Sequence, residues 1–198
     1  MTDARGITPS QTVGPFFAYC LTPQDYDFPV VFSADLTHPS TPGERVTIRG
    51  RVTDGDGLPI TDAMLEIWQA DPEGRYAHPA DTRAAGNTGF SGFGRVATDG
   101  EGFFSFTTVK PGPVPFPGGG EQAPHVAVAL FARGMLRHVV TRVYFPDEPE
   151  TARDPVLALV PADRRSTLVA RREDGGEGVV YHFDISVQGE HETVFFEA

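Results

Sequence analysis

Residues 46–52 read Val-Thr-Ile-Arg-Gly-Arg-Val, and their alternation decides the fold class. Val46, Ile48 and Val52 fall on one side of an extended chain, while Thr47, Arg49 and Arg51 fall on the other. That period of two belongs to a strand with one face buried and one in water. The run ends at Asp54-Gly55-Asp56-Gly57, a turn signal, with Pro59 close behind. Outward from here the pattern repeats. Met64-Leu65-Glu66-Ile67-Trp68 predicts a second strand, and further strands are expected at 102–109, 125–132 and 137–145. Near the end, Phe183, Ile185 and Val187 alternate with His182, Asp184 and Ser186, and a last short strand is expected over 193–196. Brief helices are predicted only around 154–160 and 161–166. With 22 glycines and 18 prolines in 198 residues, the elements must be short. The expected fold is therefore all-β, a sandwich rather than a barrel, with a few short helices.

Residues 1–44 have a different character. Pro9, Pro15, Pro23, Pro29, Pro39 and Pro42 interrupt them, yet Phe16, Phe17, Tyr19, Tyr26 and Phe28 are too apolar for a free tail. They are expected to form an extended arm that either wraps its own domain or docks on a partner. Residues 45–198 then make the sandwich, so the chain is effectively one domain.

A net charge of −11 argues against nucleic-acid or anionic-membrane partners, whose affinity depends on Lys and Arg neutralising phosphates. No apolar run approaches the roughly 18–20 residues of a membrane helix, and residues 1–15 have no signal-peptide pattern. The single cysteine, Cys20, cannot form an internal disulfide, which points to a reducing cytoplasm. Cys20 itself reads as a small buried apolar residue, because no histidine is paired with it. Trp68 is expected in the core. The acidic groups at 147–150 and 173–174 read as solvated turns, and His38, His78, His138, His182 and His191 show no ligand spacing.

A longer pattern is superimposed on these elements. It comprises Ile48-Arg-Gly50-Arg-Val52, Gly57, Ile60, Leu65-Glu66-Ile67-Trp68 and Gly74-Arg75-Tyr76. Downstream follow Ser91–Arg95, Val109-Lys-Pro-Gly-Pro113, Ala123-Pro124-His125 and Tyr144-Phe145 in order. Together these resemble the intradiol ring-cleavage dioxygenases. Thr8–Pro15 and the closing Phe183–Gly189 and Glu192–Glu197 resemble the alpha chain of the family's two-chain enzymes in particular.

The resemblance implies a non-haem Fe(III) held by two tyrosinates and two histidines, a set suited to a hard, highly charged ion. The first tyrosine matches Tyr76, but the second position is Val114. The first histidine matches His125, but the second is Ala127. An arginine expected three residues before the first histidine is Gln122 here. Only two of four ligands remain. The resemblance thus implies a chain that binds no metal and holds no catalytic residue, with Tyr76 and His125 as remnants. Its partner would be a homologous beta subunit that binds the Fe(III), in an (alpha–beta)n assembly. The joint activity would be cleavage of protocatechuate with O2 to 3-carboxy-cis,cis-muconate, a step of aromatic catabolism in the beta-ketoadipate pathway.

The same resemblance assigns substrate-lining roles to Thr12, Gly14, Pro15, Phe16 and Arg133. Phe16 stands where related chains often have tyrosine. A guanidinium such as that of Arg133 can pair bidentately with a carboxylate. The plainer readings are an ordinary surface turn at 12–16 and a solvated turn arginine at 133. Two other functions are carried forward. One is a self-sufficient intradiol catechol dioxygenase with an atypical iron site, which would be coloured on its own. The other is a non-enzymatic β-sandwich binding module, a stable monomer with no homologous partner.

Overall fold

Backbone pairing turns the alternating runs into two facing sheets. The structure is a computed structural model and describes residues 21–30, 32–83, 89–175 and 178–197. Thr12, Gly14, Pro15, Phe16 and Cys20 lie outside the described residues. The strands are β1 (Arg45–Thr53), β2 (Met64–Gln69), β3 (Phe93–Ala97), β4 (Phe103–Val109), β5 (Val114–Pro115), β6 (Glu121–Gln122), β7 (His125–Phe131), β8 (Val139–Tyr144), β9 (Arg171–Gly175), β10 (Gly178–His182) and β11 (Ile185–Ser186).

β1 is the spine of the first sheet. β4 runs antiparallel along one side of it, from Val109 opposite Arg45 to Phe103 opposite Arg51. β10 and then β11 run parallel along its other side, and β9 closes the edge against β10. The second sheet has the order β3-β2-β7-β8, antiparallel throughout. The inward residues of both sheets form one core. Val46, Ile48, Phe104, Phe106 and Tyr181 of the first meet Leu65, Ile67, Val126, Val128, Leu130 and Val143 of the second. Each large side chain buried this fully contributes about 1.5–3 kcal/mol. Gln69, also fully buried, bridges the layers by donating to Val109 O at 2.8 Å and accepting from Thr108 Oγ1 at 2.8 Å.

Four expectations need correction. The alternating run 183–187 is not one strand: Phe183 N donates to Arg49 O and Arg51 N donates to the Asp184 side chain, which breaks the ladder between β10 and β11. Residues 193–196 form no strand; Phe196 makes a single bridge to Val140. The predicted helices at 154–160 and 161–166 contract to 3-10 turns, Leu157–Leu159 and Arg165–Leu168, because Pro155 and Pro161 interrupt the helical ladder. Glu173 and Asp174 are not a turn but the middle of β9, whose five residues are all exposed. A charged edge strand has no apolar alternation to betray it, and its charges discourage pairing with another chain.

Residues 33–36 cling to the sandwich by backbone bonds, Leu36 N to Thr107 O and Arg95 N to Ser33 O, and Phe32 packs edge-on against Phe93 at 5.0 Å. Among the described residues no helix is long and apolar enough to cross a membrane.

Candidate functional site

The outer face of the second sheet carries the positions that the sequence singled out. Because strand residues alternate, Val126, Val128 and Leu130 of β7 point into the core, and His125 and Ala127 point out. The same rule turns Trp68 outward on β2, between inward Ile67 and Gln69, so it does not pack the core as expected. Ala127 lies opposite Trp68 on one side and Arg142 on the other.

Two loops close over this face. The turn at 71–76 is tied by Asp71, whose Oδ1 accepts from the N–H groups of Glu73 and Arg75 and whose Oδ2 pairs with Arg75 Nε at 2.9 Å. Gly74 adopts φ +74°, and a Cβ there would stand 1.9 Å from Pro113 O. Only glycine lets the Gly-Arg-Tyr turn touch the Lys-Pro-Gly-Pro loop. That contact brings Tyr76 and Val114 to one cavity of about 660 Å³, which Trp68, Arg83, Asp81 and Gln122 also line. Tyr76 stacks on Trp68 with centroids 5.8 Å apart and planes 11° from parallel. A larger hollow of about 850 Å³ lies around Arg49, Phe103, Ser105 and His182, but it includes none of the predicted site positions.

His125 is buried and bonds through Nδ1 to Ala123 O at 2.8 Å. Burial, then the nearby Arg142 charge, lower its pKa to about 4, so the imidazole is neutral at ordinary pH. Burial also raises the Tyr76 hydroxyl above its usual value, against the opposing pull of Arg142 and Arg83. Beneath them sits Asp154. Its Oδ1 accepts from Tyr144 Oη at 2.9 Å, and its Oδ2 accepts from Ala123 N at 2.8 Å. Asp81 accepts from Tyr76 N and is clasped by Arg83, and these bonds hold its carboxyl well below the usual range.

The cation that the resemblance implied at 122, where Gln122 stands, has a counterpart on β8. Arg142 Nη1 donates to Gln122 Oε1 at 2.8 Å, and its charge acts on both Tyr76 and His125. Sequence reasoning missed Arg142, although it stands two residues before Tyr144 and so faces the same side. His78, set aside for want of ligand spacing, also lines the cavity.

Arg133 lies elsewhere. It follows the far end of β7, roughly 25 Å along the strand from His125. Its guanidinium is exposed and pairs with Asp62. The structure therefore brings together Tyr76, Val114, Gln122 and the neighbourhood of His125 and Ala127, and leaves Arg133 apart from them.

A family model described as Dioxygenase matches residues 13–189. The chain is 49% identical over 196 residues to the protocatechuate 3,4-dioxygenase alpha chain of Burkholderia cepacia, covering 96% of each. The chain belongs to the intradiol dioxygenase family. To the beta chain of protocatechuate 3,4-dioxygenase from Burkholderia cepacia this intradiol dioxygenase is 36% identical, over 76% of its own length and 67% of that chain. Among solved structures it resembles the dioxygenase domain of a dioxygenase–carbohydrate-binding protein fusion from Streptomyces sp. SirexAA-E. That match has a TM-score of 0.60 and 27% identity, and covers 93% of this chain and 99% of the other.

The ferric iron of the family does not suit the residues this chain presents. The side chains of Val114 and Ala127 have no lone pair to offer, and the Arg142 guanidinium on the strand position opposite Ala127 repels a cation.

Proposed function

We propose that this chain is the alpha subunit of a protocatechuate 3,4-dioxygenase, and that it binds no iron itself. Its partner is a homologous beta chain that holds the Fe(III), in an (alpha–beta)n assembly in the cytoplasm. Together they cleave protocatechuate with O2 between the two hydroxyl-bearing ring carbons, giving 3-carboxy-cis,cis-muconate. The observation that carries this reading is the pair of aliphatic side chains, Val114 and Ala127, at two of the four ligand positions. The likeness to an alpha chain over 96% of both lengths supports it.

In this reading residues 1–44 are the partner-docking arm. Thr12, Gly14, Pro15 and Phe16 line the substrate pocket completed by the beta chain. The exposure of Tyr26, Phe28, Val30 and Phe32, between 42% and 60%, is consistent with a surface that another chain covers. Arg133, exposed beyond the end of β7 and paired with Asp62, would exchange that partner for a substrate carboxylate or for an acid of the partner chain.

Co-expression with an iron-binding homologue, followed by O2 uptake with protocatechuate, tests the assignment. Activity, bound iron and the tyrosinate–iron colour are expected only in the complex; iron and turnover in the purified chain alone would refute it. Within the complex, Arg133→Ala should lower kcat/KM by about 10–100-fold, the effect of losing one charge-assisted pair. Unchanged kinetics would remove Arg133 from the pocket.

A further inference from the structure

The hollow of about 850 Å³ beside β4 lies where the first sheet has an open edge. Antiparallel pairs alternate between exchanging both main-chain bonds and exchanging none. Thr107 donates its N–H to Ala34 O and accepts at its C=O from Leu36 N, so it exchanges none with Thr47 of β1. By the same alternation Ser105 and Phe103 also aim their main-chain groups away from β1. Phe103 is satisfied by Asp99, whose Oδ1 accepts from its N–H and whose N–H donates to its C=O. Ser105, between the two, has its N–H, C=O and hydroxyl without a hydrogen bond among the described residues. Other outer strands are protected: β8 is capped by bridges to Val169 and Phe196, and β9 is charged at Arg171, Arg172, Glu173 and Asp174.

The side chains beside this gap suit an acid. Ser105, Arg49 and His182 stand opposite one another on β4, β1 and β10, in one row across the outer face, and all three line the hollow. Among the described residues the Arg49 guanidinium has one hydrogen-bond contact, to His182 Nε2 at 3.4 Å. Glu173 lies 3.8 Å from Arg49 and bonds instead to His182 at 2.6 Å, so Arg49 keeps donors to offer. Val96, Ala97 and Phe104 supply an apolar wall. We propose that this edge takes an extended segment of another polypeptide, centred on a glutamate, as a short strand added to β4. The glutamate exchanges main-chain bonds with the two open groups of Ser105, and its side chain falls on the same face as that of Ser105. Ser105 is short enough for the carboxylate to reach over it to Arg49 in a charge-assisted bond. Residues on either side of the glutamate point the other way, towards Val96 and Phe104, and are therefore apolar. The bonds already made at Thr107 and Phe103 confine the added strand to a short stretch. This contact belongs to the first sheet, apart from Trp68, Tyr76 and Arg133, and does not rest on the subunit assignment.

The full chain, isotope-labelled, is titrated with the blocked peptide acetyl-Thr-Val-Glu-Val-Thr-amide while its amide chemical shifts are followed. Saturable shifts centred on Ser105 and Arg49 are expected, with a Kd on the order of 1 mM. The peptide with glutamine in place of glutamate, and the Arg49→Gln variant with the original peptide, should each bind about 10-fold more weakly. Combining the two changes should add little, because both remove the same pair. Ser105→Pro, which removes the outward N–H and leaves the ladder with β1 intact, should abolish the shifts. No saturable shift in the wild-type chain overturns the proposal, whether or not any variant folds. Equal binding of the two peptides overturns it, as do shifts centred on the Trp68 face. A Ser105-dependent dimer in sedimentation, with no peptide binding, would give the edge to a second copy of this chain and overturn it too.

Discussion

Asp154→Ala should destabilise the fold by about 4 kcal/mol, and it would do so from beneath the candidate site. Asp154 is only 2% exposed. Its Oδ1 accepts from Tyr144 Oη, Val156 N and Leu157 N at 2.9, 2.9 and 2.7 Å, and its Oδ2 accepts from Ala123 N at 2.8 Å. Truncation strands the Tyr144 hydroxyl and the Ala123 N–H, whose residues are 0% and 1% exposed, where water cannot replace the lost acceptor. A buried donor left unpaired costs about 1–3 kcal/mol, so these two set the magnitude. Tyr144→Phe removes one bond to a carboxylate that keeps three others, and should cost about 1–1.5 kcal/mol. The double variant should cost less than the two single losses together, because the second change removes a donor that the first had stranded. Urea unfolding followed by Trp68 fluorescence and circular dichroism measures all three. A loss below about 1 kcal/mol for Asp154→Ala, or strict additivity in the double variant, would refute the network as described.

Two further outcomes are expected. His125 has its pKa lowered to about 4 by burial, whereas the unfolded chain presents an ordinary histidine. The unfolded state therefore takes up a proton first. Stability is fully present above about pH 6.5 and falls by up to about 3 kcal/mol as the pH drops towards 4; His125→Gln should flatten that part of the profile, and an unchanged slope would contradict it. Gly74→Ala should cost about 3 kcal/mol or more, since the added methyl meets the Pro113 carbonyl at 1.9 Å as well as an unfavourable φ. Gly119→Ala has a similar φ of +92° but nothing within 4 Å, so it should cost only about 1 kcal/mol in the same unfolding assay.

Much of the architecture was legible along the chain because a strand with one buried face must alternate. Val46–Val52, Met64–Trp68, Phe103–Val109 and the run from His125 all meet that condition, and all are strands. β9 did not, since an exposed edge strand is held by its backbone and leaves its side chains free to be charged. The hairpin of β5 and β6 is two residues long on each side, too short for any period to show. The 3-10 turn Leu157–Leu159 depends on the side chain of Asp154 bonding to Val156 and Leu157.

The candidate site divides along the same line. Sequence alone determined which side-chain donors are missing, because the side chain of Val114 or Ala127 has no lone pair to offer a metal in any conformation. Only the tertiary structure could decide what took their place. The charge absent at Gln122 comes from Arg142, twenty residues on, because β7 and β8 pair in a register that sets Arg142 against Ala127. Tyr76 meets Trp68 because Gly74 allows the turn that carries Tyr76 to lie against Pro113. Donor atoms are a property of residue identity, whereas the field around them depends on which strands become neighbours.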